Sequence, residues 1–450
     1  LQGLTYLKNL LIITLFLAGI YLLYENFLNN KPLILALEPN HSEMNFDELA
    51  YINELRVTSG LNPLSLSETL NLSTKNHANY LIQHNISGIS MHDENSSFSG
   101  FTGENATARA ISAGHKTRFV LENISNNQIS TKSAIDNLFS AIYHRFLFLN
   151  YGISEIGMSW MSGENGRVYV FNMSNSSLNE LCKNGGNFYQ KGYYYDKICK
   201  DKTTRIKMQT FNEALKPKSP EFVRFPATFG LAFFGKEYPD PLPECKVTAA
   251  PISIEFNPNL PDIKMKNFEL FKDGKKLEDS IVLDRQTDKN KKLNERQFAL
   301  FLRQVLEFDK NYTAKFSYEQ DGKSKILEWD FRTLTPVMPY FLVRGKERLG
   351  VMPDVWYELF FVPKDCNDEF DDYSFSDGVF SDLNISYSDV NTLRFKLSGA
   401  KQSSAWVMAN GAKVEIVLLE SSKGYFGFSI FVFISLLALA FLLFVFKRAN

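Results

Sequence analysis

The chain has 450 residues, 44% of them hydrophobic, with a formal net charge of −1. That length holds roughly two to four domains of ordinary size with real cores, and the near-neutral balance argues against the basic face that nucleic acid would need. The four cysteines show no C-x-x-C spacing, which argues against a zinc site built from them.

In chain order, residues 10–24 form an apolar run preceded by Lys8. It fits a signal-peptide core at its upper length or, extended to residue 28, an uncleaved signal anchor. No clean small-x-small cleavage site follows, and either reading exports the middle of the chain. Residues 29–45 read as a polar, Pro-containing tether. From Phe46 the pattern turns helical, with Leu49, Ile52 and Leu55 on one side. A second helix is predicted over 67–83, capped by Ser67, with Leu70, Ala78 and Leu81 as its stripe. His77 faces inward with them.

Residues 85–103 are rich in Ser, Gly and Asn and read as loop. In extended chain His92 and Glu94 project to one side, so both can enter one cleft. "NATARAISAG" is a short helix stopped by Gly114. "AIDNLFSAIYHRFLFL" is predicted as one amphipathic helix that buries Ile135, Leu138, Phe139, Ile142 and Phe146. His144 lies about 200° round from Ile142, off that face, where a cleft would be. "EIGMSWM" and "GRVYVFNMS" alternate as paired strands. His41, His84 and His115, the rest of the six histidines, read as surface.

Those words, in that order, carry a resemblance. "INELRVTSGLNPLSLSETLNLSTKNHANYLIQHN", "MHDEN", "FTGENATARAISAGH", "LENIS", "AIDNLFSAIYHRFLFL", "EIGMSW" and "GRVYVFNMS" resemble the bacterial branch of the CAP superfamily (SCP/PR1-like domains) over about residues 46–173. The resemblance implies an α+β fold of the αβα-sandwich type with a polar cleft. His92, Glu122 and His144 match its motif. Two departures stand out. Leu138 and Ala141 replace the Trp-x-x-Glu of eukaryotic members, so Glu94 is assigned as the missing carboxylate. The last histidine sits in "IYHR" rather than in a "GHFT" context. Glu94 and His77 therefore rest on this sequence's own logic.

The expected cleft is His92, Glu94, Glu122, His144 and His77. A divalent cation such as zinc would take His92 and His144 as ligands, because imidazoles and carboxylates suit both a cation and proton movement. Neither a G-x-S-x-G elbow nor an H-E-x-x-H helix is present. The expectation is thus a binding or interaction module. A metal-dependent hydrolase of peptide or cell-envelope polymer is the alternative.

Beyond residue 180, Cys182 and Cys199 flank a Gly- and Tyr-rich loop and are expected to pair within a connector over 181–216. Cys245 and Cys366 fall in different predicted domains, and a bridge between them is open. Residues 217–335 read as an Ig-like β-sandwich with Trp329 in its core, and 336–423 as a second β domain. Residues 425–446 carry no charge and are followed by Lys447 and Arg448. As a helix they would span about 33 Å, one hydrocarbon core, with the positive pair on the cytoplasmic side. The expected whole is a CAP-type domain over 46–180 and two β-sandwiches, held at a membrane and facing the periplasm or cell surface. An envelope protein, lipid or polymer is its expected partner.

Overall fold

The computed structural model describes residues 32–41, 46–164, 166–184, 191–216, 220–370 and 372–423. The apolar segments 1–28 and 425–446 lie outside these residues. Among the described residues no helix is long and apolar enough to cross a membrane.

The described chain opens with β1 (Ile34–Leu35), then α1 (Glu48–Thr58), β2 (Ser65–Leu66) and α2 (Glu68–His84). Asp47 caps α1 by accepting from the Ala50 amide at 2.8 Å. Ser67 stands at the cap of α2 but makes no side-chain cap bond. Next come α3 (Ala106–Ser112), β3 (Val120–Asn126), α4 (Thr131–Ser140), α5 (Ile142–Phe148), β4 (Glu155–Gly163) and β5 (Gly166–Ser174). The four strands form a sheet in the order β2-β4-β5-β3, antiparallel except where β2 joins β4. Gly157 lets α2 lie directly on β4. A Cβ there would stand 2.2 Å from the Leu70 carbonyl carbon. Ile52, Ile135, Leu138, Phe139, Ile156 and Phe171 fill the core between helices and sheet.

The single helix predicted over "AIDNLFSAIYHRFLFL" is two. At Ala141 ψ turns to 116°, and α4 ends where α5 begins. The apolar stripe divides with it. Ile135, Leu138 and Phe139 enter the core just described, whereas Ile142 and Phe146 pack against Phe234, Leu242 and Phe301 of the next domain.

The connector holds α6 (Ser176–Asn184), β6 (Tyr194–Tyr195), β7 (Ile206–Lys207) and α7 (Met208–Leu215). Cys182 and Cys199 are bonded as expected.

A β-sandwich follows. One sheet pairs β8 (Phe222–Phe225), β10 (Ile252–Phe256), β14 (Gln297–Leu302) and β13 (Ser280–Leu283). The other pairs β9 (Phe229–Gly230), β16 (Lys323–Thr333), β15 (Asn311–Gln320), β11 (Ile263–Lys272) and β12 (Lys275–Lys276). Alternating inward residues from both sheets meet at Ile254, Phe268, Phe316 and Trp329. The Trp329 indole donates to the Pro226 carbonyl at 2.9 Å.

The last sandwich has one sheet of β17 (Tyr340–Val343), β19 (Trp356–Phe361), β22 (Thr392–Gly399) and β21 (Ser381–Asp389). Its second sheet runs β1, β18 (Lys346–Val351), β24 (Ala412–Leu418), β23 (Ser404–Ala409) and β20 (Tyr373–Ser376). The predicted tether is therefore corrected. Ile34 and Leu35 pair in parallel with Leu349 and Gly350, and Leu37 bridges Tyr340. A second disulfide, Cys245–Cys366, joins the two sandwiches across 121 residues.

Candidate functional site

Three segments of the first domain converge on Arg109. A short 3-10 turn (Gly88–His92) carries His92, α3 carries Arg109, and β3 carries Glu122. Arg109 is fully buried. Its Nη2 donates to both Glu122 oxygens at 2.7 Å, and its Nη1 donates to the His92 carbonyl at 3.0 Å. These are short, charge-assisted contacts in which one nitrogen spans both oxygens, rather than the parallel two-nitrogen fork. Burial pushes the Glu122 carboxyl up. The His92 bond, the charges of Arg109 and His77 and the Arg109 bonds outweigh it and hold Glu122 below its usual range.

His92 and Glu94 do not share a cleft. His92 is half-exposed, with Nδ1 on Glu122 Oε1 at 3.1 Å. Glu94 turns inward beneath it, 4% exposed. There it accepts from the Thr102 amide at 2.6 Å, from the Gly103 amide at 3.2 Å, and lies 2.8 Å from His77 Nδ1. Burial raises the Glu94 carboxyl, but the His77 and Thr102 bonds and the His77 and Arg109 charges bring it below its ordinary range. Asp93 between the two is extended, yet His92 still belongs to the turn, so the two-residue alternation fails at its first position.

His77 is not a cleft residue. It is completely buried, and its Nε2 lies 2.8 Å from the Met91 carbonyl. A carbonyl and a carboxylate both only accept, so both ring nitrogens donate and none is left to ligate. His77, Glu94, Arg109 and Glu122 thus form a sealed, charge-compensated floor.

His144 stands on the other side. The Asn123 side chain donates to its carbonyl at 2.9 Å, tying α5 to β3. It lies in the first turn of α5, and its side chain is 17% exposed. Its Nδ1 meets Glu237 Oε2 at 3.0 Å, a residue of the first sandwich. A cavity of 460 Å³ opens between the domains. His92, Glu122 and His144 line one wall, and Tyr238, Lys292 and Asn294 the other. A second hollow of 310 Å³ shares His92, His144 and Tyr238. Of the five expected cleft residues, His92, Glu122 and His144 therefore reach the cavity; Glu94 and His77 lie behind it.

Sequence reasoning missed Arg109 and Glu237. An arginine amid the small residues of "ATARA" is a faint sign of a buried cation; "GKEYPDP" gives no sign of Glu237. The surface reading of His115 is also corrected. It is fully buried, with Nδ1 3.0 Å from Thr69 Oγ1 and Nε2 2.9 Å from Ser174 Oγ. Burial pushes it down to about 4. A Ser–His contact sealed from solvent at both residues has no route to a substrate. His41 is partly buried; burial, then Lys132, lowers it to about 4.

His92 and His144 each use Nδ1 on a carboxylate, and neither Nε2 makes a hydrogen bond among the described residues. Among them, no group of three or more His, Cys, Asp or Glu could hold a metal ion.

Residues 49–173 match the sequence model of the CAP family, described as the Cysteine-rich secretory protein family. No curated protein matches the chain. Among solved structures, an outer surface protein from Borrelia burgdorferi is similar at 18% identity and a TM-score of 0.24, over 28% of this chain and 86% of that one. An extracellular protein containing an SCP domain from Bacillus anthracis is similar at 16% identity and a TM-score of 0.24; 28% of this chain matches 38% of that one. A tandem of titin Ig domains is similar at 12% identity and a TM-score of 0.16, over 38% of this chain and 89% of that one.

Proposed function

We propose that this chain is an extracytoplasmic binding module, held at a membrane, whose CAP cleft takes a divalent cation or a small ligand between His92 and His144. One observation carries this reading. Two imidazoles at one cavity are each held through Nδ1 by a buried carboxylate, with Nε2 left unbonded. That is the arrangement in which a carboxylate fixes the tautomer of a ligating histidine.

The donor set fits a cation in part. His92 and His144 would hold it. Glu122 would not, because Arg109 takes both of its oxygens. A zinc ion there would keep positions open to water or a bound ligand.

Export is supported by two formed disulfides, which persist in oxidising compartments, and by the secretory description of the matched family. Anchoring is supported by residues 425–446, which carry no charge and are followed by Lys447 and Arg448. Retention in membranes after alkaline washing is the expected result; removal of 425–446 should release the chain where residues 10–28 are cleaved and leave it bound where they are retained.

The cleft is tested by calorimetric titration of the full chain in detergent with zinc chloride. His92→Ala and His144→Ala should each weaken binding at least about tenfold. Equal affinity in wild type and both variants would remove the cation reading.

A further inference from the structure

The carboxylate that serves His144 does not belong to the domain that carries the histidine. Glu237 lies between β9 and β10 of the first sandwich, 93 residues beyond His144. Its side chain is 1% exposed. It accepts from the Ile142 amide at 2.6 Å and the Tyr143 amide at 3.1 Å, and meets His144 Nδ1 at 3.0 Å. Three donors around one buried carboxylate leave it little rotational choice. The break at Ala141 makes this possible, because it frees the Ile142 and Tyr143 amides from any helical partner. Within the CAP domain Glu94 cannot substitute, since its oxygens are committed to His77, Thr102 and Gly103.

We infer that Glu237 is the positioning residue for His144, so that the cleft is complete only when the first sandwich is seated on the CAP domain. This rests on the reading that the cleft takes its ligand at His144. An ionised carboxylate accepts only, so Nδ1 carries the proton and Nε2 presents its lone pair. The occupant is then a Lewis acid or a hydrogen-bond donor at Nε2, with a divalent cation as the simplest probe. His92 obtains the same treatment from Glu122 inside its own domain. One half of the site is thus intrinsic and the other is lent across a junction. By reciprocity, an occupant that needs the seated state also strengthens the seat. The junction can carry this coupling, because Ile142 and Phe146 share one apolar cluster with Phe234, Leu242 and Phe301.

The test uses full chain with 15N-labelled histidine, Glu237→Leu and Glu237→Asp. Long-range 1H–15N spectra at about pH 8, where a free imidazole is neutral, read which ring nitrogens carry protons. In wild type His144 should carry its proton on Nδ1. In Glu237→Leu, which leaves no acceptor, that signature should be lost while His92 and His77 keep theirs, which also shows that the variant folds. Zinc affinity should fall about 10–100-fold in Glu237→Leu and recover in part in Glu237→Asp. A wild-type His144 protonated on Nε2, or a tautomer and affinity unmoved in both variants, would overturn the inference. If wild type binds no zinc, the cation reading of the cleft fails, and the tautomer comparison still decides the role of Glu237.

Discussion

Arg109 explains why Glu122 can sit in the interior at all. An unpaired buried carboxylate is expensive, and here the guanidinium meets both oxygens and the His92 carbonyl together. Arg109→Met should therefore cost about 3–5 kcal/mol, because it strands the charge rather than removing the pair. Arg109→Lys should recover only part, since a point charge cannot serve three acceptors in a fork. Hydrogen exchange at the β3 amides under mild denaturant measures both. Glu255 shows the opposite case. It is 8% exposed, its Oε2 has no hydrogen bond, and Gln297 donates to Oε1 at 3.1 Å. Burial pushes its carboxyl up to about 8 from 4.5. The unfolded chain releases this proton first as pH rises. The stability it contributes is full below 4.5 and is lost by about 8, a change of about 5 kcal/mol. Glu94 and Glu122 run the other way: their contribution is present above the ordinary carboxylate range and lost as pH falls through their lowered values. Glu255→Gln should thus match wild type near pH 4 and exceed it near pH 8, as read by urea unfolding at both. The sequence showed His92, Glu122 and His144 because each lies in a recognisable word. It hid Arg109 and Glu237 because a buried partner is defined by what packs over it, and neither short stretch reports that.

Elements were legible where one rule governed them. α2 follows its stripe from Leu70 to Leu81, and β4 and β5 follow their alternation. The failures arise where a segment serves two bodies. The stripe through "AIDNLFSAIYHRFLFL" is continuous in sequence, but its halves face two cores, and a straight helix cannot aim at both. β1 is similar. Ile34 and Leu35 are too few to announce a strand, and their partners lie more than three hundred residues away in sequence. What holds this segment is Asn40. Its side chain donates to the Thr333 carbonyl at 3.1 Å and Asp309 at 2.7 Å, and accepts from the Thr335 amide at 3.2 Å. Asn40→Ala should cost about 1–3 kcal/mol locally, leaving those partners to compete for water. The expected readout is faster exchange of the Leu37 and Tyr340 amides, which bond each other's carbonyls. Protection of the β22 amides, deep in the same sandwich, should not change.

At the scale of the whole molecule, three bodies are tied pairwise. The CAP domain meets the first sandwich through α5 and Glu237, and also through Arg145, whose guanidinium lies 4.5 Å from the Phe225 ring centroid. The two sandwiches meet through stacked Phe233 and Phe360, 4.9 Å between centroids, and through Cys245–Cys366. The Lys246 and Val247 amides also donate to the Cys366 carbonyl, at 2.7 and 3.0 Å. This junction is therefore held by contacts that do not need the disulfide. Removing the bond should act mainly on the unfolded chain, in proportion to the loop it closes. A loop of 121 residues predicts a loss of about 5 kcal/mol in the chain-entropy account, against about 3 kcal/mol for the 17-residue Cys182–Cys199 loop. The Cys245→Ser/Cys366→Ser chain should keep the solution scattering profile of wild type while its guanidinium midpoint falls further than that of Cys182→Ser/Cys199→Ser. A changed scattering profile would mean instead that the bond itself holds the sandwiches together. The seat of Glu237 under His144 would then depend on redox state as well as on packing.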